Sequence, residues 1–255
     1  PGQSLTWMDS GQGEWGAVPR AGVAIEWQAL WLRACETMAQ LAQERGNVRI
    51  AQRAVSLAAR VREAFPRRFW CRDRGYPCDV VSPKQGEDAW ADPSVRPNAL
   101  IALAIAPDLF EPWQATTLLD RARLELVTPG GVRTLSSGDS RFCGYYEGAL
   151  EEREQATHQG TVWPMLSAWY VRAAMRNANG DDRLRAELRD YLTQVVEVGG
   201  ALGHVAQLAD GEPPHRWRGL PAHAGAVALL LDVLTQEVAP VSREVSGVSR
   251  SAGSV

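Results

Sequence analysis

The 255-residue sequence has no run of eighteen apolar residues and no basic segment leading into an apolar core. Neither a membrane partner nor a secretory signal is therefore expected. An excess of one charge is missing too: 27 basic residues stand against 30 acidic ones, a net charge of −3. That balance gives no general attraction for nucleic acid or anionic lipid. Lysine is almost absent, with Lys84 alone, so arginine carries nearly all the positive charge. Its planar fork suits carboxylates and sugar hydroxyls, although biased codon usage accounts for the excess equally well. The four cysteines, Cys35, Cys71, Cys78 and Cys143, form no CxxC pair, and the four histidines share no ligand spacing. No metal is expected on that ground. A Cys71–Cys78 disulfide across the Arg74-Gly75-Tyr76-Pro77 turn is conceivable, but free thiols in a reducing cytoplasm are the expectation. Nucleotide-binding glycine motifs and the GxSxG elbow are missing, and no cofactor is expected.

What is present is tryptophan and helical periodicity. Ten Trp outnumber five Tyr and four Phe together. Trp27, Leu30, Ala34, Met38 and Leu41 step by three and four, which predicts the buried face of a helix that Gly46 closes. Ile50, Ala54, Leu57, Val61 and Phe65 repeat the pattern up to Pro66. Five more helices are predicted at about 96–105, 113–126, 161–176, 182–196 and 221–236. In the third of these, Val162, Leu166, Trp169 and Ala173 form the predicted stripe. Only short extended pieces are expected, at 76–81 and 132–135, so the fold class is all-α. Three connections, 69–93, 128–158 and 199–221, are long and rich in Gly, Pro, Asp and aromatic residues. Long loops in a helical domain are usually functional. Helix pairs joined alternately by short and long loops suggest an α/α toroid with its long loops on one face.

Four loop segments concentrate polar and aromatic residues: Thr6-Trp7-Met8-Asp9, Asp92-Pro93-Ser94-Val95-Arg96-Pro97-Asn98, His158-Gln159-Gly160-Thr161-Val162-Trp163-Pro164 and Asp210-Gly211-Glu212-Pro213-Pro214-His215. Indole rings beside carboxyl groups suit a sugar site, one stacking on the pyranose face and the other meeting its oxygens. With Pro19-Arg20 through Glu26 to Trp31, and Thr128-Pro129 through Arg133-Thr134-Leu135-Ser136, the segments resemble the amylo-α-1,6-glucosidase domain of glycogen debranching enzymes. The resemblance runs from about Leu5 to Leu234.

It implies an (α/α)6 toroid that binds glycogen or limit dextrin and hydrolyses α-1,6-linked glucose stubs with inversion. Inversion needs two carboxyl groups roughly 6.5–9.5 Å apart with a water between. The resemblance makes Asp9 the general acid and places Trp7, Arg96, Asn98, His158, Gln159, Trp163 and His215 around the glucose. Glu26 is either a supporting polar contact or an exposed first-turn acid. The general base falls on Gln207, an amide that takes up no proton at neutral pH. Ala222-His223-Ala224-Gly225-Ala226 and Ala99 also depart from the family pattern, on the same wall. The alternative to a debranching α-glucosidase is therefore a catalytically degenerate glucan-binding module. Seven helices are too few for a twelve-helix ring, and Pro1 is not a start residue. Residues 1–236 are thus expected to be the C-terminal part of the toroid, following an N-terminal segment, with 237–255 a disordered tail.

Overall fold

The computed structural model describes residues 6–8, 18, 20–84, 86, 89–178, 180–198, 200 and 203–238. Among them are eight α-helices: α1 (Ile25–Glu44), α2 (Val48–Phe69), α3 (Asn98–Ile105), α4 (Pro112–Glu125), α5 (Leu150–His158), α6 (Pro164–Asn177), α7 (Asp182–Val198) and α8 (Ala224–Val233). The seven predicted helices are all present. The eighth, α5, lies inside the long connection 128–158, and the spacing misses it because only Ala156 and His158 are buried on it. Pro66 does not end α2. It removes one backbone bond, and the helix runs on to Phe69, whose ring meets Phe65 at 4.9 Å.

Helix contacts define two rows. α1, α3, α6 and α8 touch in succession, and α2, α4 and α7 back the first three of them. The inner row is the drier one. All of α3 from Asn98 to Ala104 is buried, and α6 buries nine of its 14 residues. Short connections between α1 and α2, α3 and α4, and α6 and α7 alternate with the long ones, which therefore gather at one end. Small antiparallel ladders tie them together there. Val23–Ala24, Val80–Val81 and Ala91–Asp92 make one. Val127–Thr128, Gly131–Arg133, Val162–Trp163, Leu208–Ala209 and Trp217–Arg218 make another, and Trp70–Cys71 pairs with Tyr76–Pro77. No helix among the described residues is long and apolar enough to cross a membrane.

α1 corrects the predicted core. Its buried face is Ile25, Ala29, Leu32, Cys35, Ala39 and Ala42, meeting Ala51, Ala54 and Ala58 of α2. Small side chains let the two helices approach closely. The larger residues lie on the other side: Trp27, Leu30, Trp31, Met38 and Leu41 are 42–51% exposed. Their stripes made Trp27 and Trp169 packing residues. Only Trp169 is half-buried, under the guanidinium of Arg172 at 5.6 Å. Arg33 and Arg62 bridge Glu36 and Asp108, clasping α1 and α2 to the 3-10 turn Pro107–Leu109. All four cysteines are free thiols, and burial pushes the Cys78 thiol up to about 12.

The chain stays packed slightly beyond the expected boundary at 236. A π-helical turn, Leu234–Val238, buries Val238 and brings Glu237 to Arg172 and Arg176. The rest of the expected tail, 239–255, lies outside the described residues. Neighbouring positions on α1 separate the two possible core faces. Leu32→Ala should cost about 2–5 kcal/mol in urea unfolding, whereas Trp31→Ala should stay within roughly 0.5 kcal/mol of the parent.

Candidate functional site

The loop end of the arc is built on a buried cluster of charges. Arg20, 1% exposed, donates to both oxygens of Glu26 at 2.7 Å and, through Nε, to Asp79 at 2.7 Å. Asp79 also accepts from Asn98 Nδ2 at 2.7 Å, and Asn98 Oδ1 accepts from the Trp7 indole at 2.7 Å. Burial pushes the Glu26 carboxyl upward, against the pull of Arg20. Opposing burial, Asp79 and Glu26 hold the Arg20 guanidinium firmly charged. A planar donor between two carboxylates satisfies charges that would otherwise be very costly away from water.

A second set of bonds fixes the next loop. Arg96 donates to the carbonyls of Thr134 (3.1 Å) and His158 (2.7 Å) and to Gln159 Oε1 (2.5 Å). Its Nε has no hydrogen-bond partner among the described residues and lies 3.8 Å from Asp79. Tyr76 donates to the Arg96 carbonyl at 3.0 Å. Burial lowers the Arg96 pKa, with Asp79 opposing. Thr134 receives Gly160 N–H at its hydroxyl and donates backbone N–H to Thr161, so 128–136 is stitched to 158–164.

Gly160 carries a positive φ of 149°, and a Cβ there would press 2.8 Å from the Cys143 carbonyl. Opposite it, a Cβ on Gly211 would stand 2.2 Å from the Gly160 carbonyl oxygen. Both motif glycines are needed for backbone to meet backbone. The Asp210-Gly211 turn is thereby locked onto His158-Gln159-Gly160.

Above this base stands an aromatic cluster. Trp7 meets His158 edge-on at 5.3 Å and Trp163 at 6.0 Å; His158 stacks on Trp163 at 5.5 Å, and His223 meets Trp163 at 6.2 Å. Trp163 is 7% exposed, with its indole bonded to the Thr157 carbonyl, while Trp7 is half-buried. Burial, then the charges of Arg96 and Arg20, lower the His158 pKa to about 3, so the ring is neutral. Its Nδ1 is buried without a partner among the described residues.

The structure thus brings Trp7, Glu26, Arg96, Asn98, His158, Gln159 and Trp163 together. Asp9 lies outside the described residues, one position beyond the fully buried Met8. Gln207 is half-buried just before the Leu208–Ala209 strand. Pairing of Val162 with Ala209 carries it toward the Trp163–Pro164 end of the neighbouring strand. Its Oε1 accepts from Leu220 N–H at 3.1 Å and rests over Gly219. Asp210 is taken up by Arg218 and the Tyr146 amide, and His215 by the Asp210 carbonyl at 2.9 Å, at a positive φ of 55°. Among the described contacts, His215 does not reach the aromatic cluster.

Three residues of the site were given no role by the sequence. Arg20, inside the matching Pro19-Arg20 stretch, forms the charged floor with Asp79, and His223, within the departing Ala222–Ala226 stretch, joins the aromatic wall. The signal for Asp79 was faint: one acid within Cys78-Asp79-Val80-Val81, an otherwise apolar extended piece.

The family model for amylo-α-1,6-glucosidase matches residues 1–232. The chain belongs to the amylo-α-1,6-glucosidase family. It is 34% identical over 90 residues to the glycogen debranching enzyme of Saccharomyces cerevisiae (strain ATCC 204508 / S288c), covering 33% of this chain and 6% of that relative. Among solved structures it resembles a sialidase, with a TM-score of 0.64 and 11% identity, over 87% of this chain and 20% of the other. It also resembles the GH63 mannosylglycerate hydrolase from Thermus thermophilus, solved in complex with Tris. That match has a TM-score of 0.56 and 14% identity over 82% and 45% of the two chains. The chain therefore spans well under half the length of the first two and 45% of the third. The fold is the mostly-α toroid type of glycosidases, and the chain is a glycoside hydrolase family domain.

Two stability measurements probe the floor and the ring stack. Arg20→Met would leave Glu26 and Asp79 buried without their counter-charge and should cost roughly 3–5 kcal/mol in urea unfolding. His158 should set a pH dependence. Its folded pKa, about 3, lies below the ordinary 6.5, so the unfolded chain binds its proton first as pH falls. Stability from this group is present above pH 6.5 and is lost as pH drops toward 3, by about 2 kcal/mol between pH 7 and 5. His158→Gln should flatten that part of the profile.

Proposed function

We propose that this domain binds the end of an α-glucan and serves hydrolysis of α-1,6-linked glucose branch stubs by an inverting acid–base mechanism. The observation that carries the reading is the convergence of the family's loop segments on one half-exposed indole, Trp7, above a rigid charged floor. Trp7 stacks on the pyranose ring, with Trp163 and His158 behind it fixing its angle. Asp9, next in sequence to the anchored Trp7-Met8 pair, is the general acid that protonates the departing oxygen. Glu26, Arg96 and Asn98 act through others. Glu26 is spent on Arg20, Asn98 orients Trp7, and Arg96 holds His158 and Gln159 in place. Gln159 and the unpartnered Nδ1 of neutral His158 supply polar contacts to sugar hydroxyls.

The base is the weak point of the enzyme reading. Gln207 is the position where the resemblance puts the family's base, and an amide does not activate water. Asp210 cannot stand in for it, because Arg218 binds both its oxygens at 3.1–3.2 Å. This favours, as a second reading, a glucan-binding domain that has kept its acid and its aromatic wall. Glucose release from limit dextrin decides between them. Gln207→Glu should raise the rate by about 10²–10⁴-fold, the usual worth of one positioned base, and Asp9→Asn in that background should remove the gain. An unchanged rate in Gln207→Glu would exclude Gln207 as the base position.

A further inference from the structure

A second aromatic feature lies away from the loop cluster, against the outer row. Trp70, at the C-terminal cap of α2, and Trp113, in the first turn of α4, meet edge to face at 5.1 Å and 82°. They line a groove of about 680 Å³ with Arg67, Arg72, Gly75 and Gln114. That is within the range of about 300–1,000 Å³ common for small-ligand sites. Trp113 is 57% exposed, more than any other tryptophan among the described residues, and Trp70 is half-buried. Neither indole N–H makes a hydrogen bond among the described residues, although Trp7, Trp163 and Trp217 each use theirs. Arg72 is exposed and forms no ion pair among the described residues.

The fold does not require this pair. Trp70 stands at the end of its helix, and neither ring belongs to the central apolar core. Two perpendicular indoles with free N–H donors, flanked by guanidinium forks, present apolar faces and hydrogen-bond donors together. That combination fits a chain of pyranose rings, whose faces are apolar and whose rims are hydroxyls. A planar base would also stack, but the domain's net charge of −3 works against a polyanion.

We propose that the Trp70–Trp113 groove is a second α-glucan site, distinct from the Trp7 cluster, which holds an outer chain of the same branched polymer. The proposal rests on the glucan reading above. Its effect is avidity: a second contact on one polymer raises retention without changing the chemistry at the first.

The test uses 5-fluorotryptophan-labelled protein titrated with maltoheptaose, the Trp70 and Trp113 resonances being assigned with Trp70→Phe and Trp113→Phe. Both resonances should move in the parent and equally in Trp7→Ala, whose first site is disabled. In glycogen-affinity electrophoresis, Trp113→Ala should lose at least fivefold in retention with an unchanged thermal midpoint. Resonances at 70 and 113 that stay still while Trp7 moves would overturn the second site and leave the first standing. Movement at 70 and 113 with none at Trp7 would uphold the groove and remove the Trp7 reading. If no resonance moves, both fall. If a short oligonucleotide moves the two resonances and maltoheptaose does not, the groove is a nucleic-acid site and the proposal is wrong.

Discussion

The organisation of the loop end depends on one ion cluster, Arg20 between Glu26 and Asp79. Each member comes from a different part of the chain: the approach to α1, its first turn, and the extended piece after α2. Because all three are dry, none can be rearranged without leaving an unpaired charge, and that cost fixes the relative positions of the segments. Asn98 passes the constraint on. By bonding Asp79 on one side and the Trp7 indole on the other, it links the floor to the ring facing outward. Arg96, two residues earlier, does the same for the 158–163 segment through carbonyls and an amide.

Side chains that look like ligand contacts in a motif are thus spent on architecture. A carboxylate with both oxygens on one guanidinium has little left to offer a sugar, and a guanidinium with three bonds is a brace. What the cluster leaves available among the described residues is narrower: the half-exposed face of Trp7 and the unpartnered Nδ1 of His158. A site with a rigid base and few free groups suits differential binding, since its surviving contacts need no reorganisation. On the proposed reading, the amide of Gln207 bears on turnover rather than on binding.

Much of the architecture was legible in the sequence. Period-3.6 stripes located seven helices, loop lengths alternated as the two rows require, and the motif order identified the family. Less could be read where two answers share one period. α1 carries two apolar stripes, one led by tryptophans and one that mixes Ile25, Leu32 and Cys35 with three alanines, and periodicity alone prefers the larger. The helix buries the second because α2 and α3 pack against that side. α5 was invisible for the opposite reason, since Leu150–His158 has almost no buried stripe and is held in place by its neighbours.

The sequence by itself determined the fold class, the family and the segments that make the site, because these reside in local spacing and in short motifs. Tertiary structure decided which residues within those segments are free to act. Burial and pairing depend on partners as many as 91 residues away, as with Trp7 and Asn98. Asp79, with no motif around it, became the centre of the floor only when the folded chain placed Arg20 and Asn98 against it. Charge that is costly to bury settles where its counter-charge settles, and only the folded chain fixes that place.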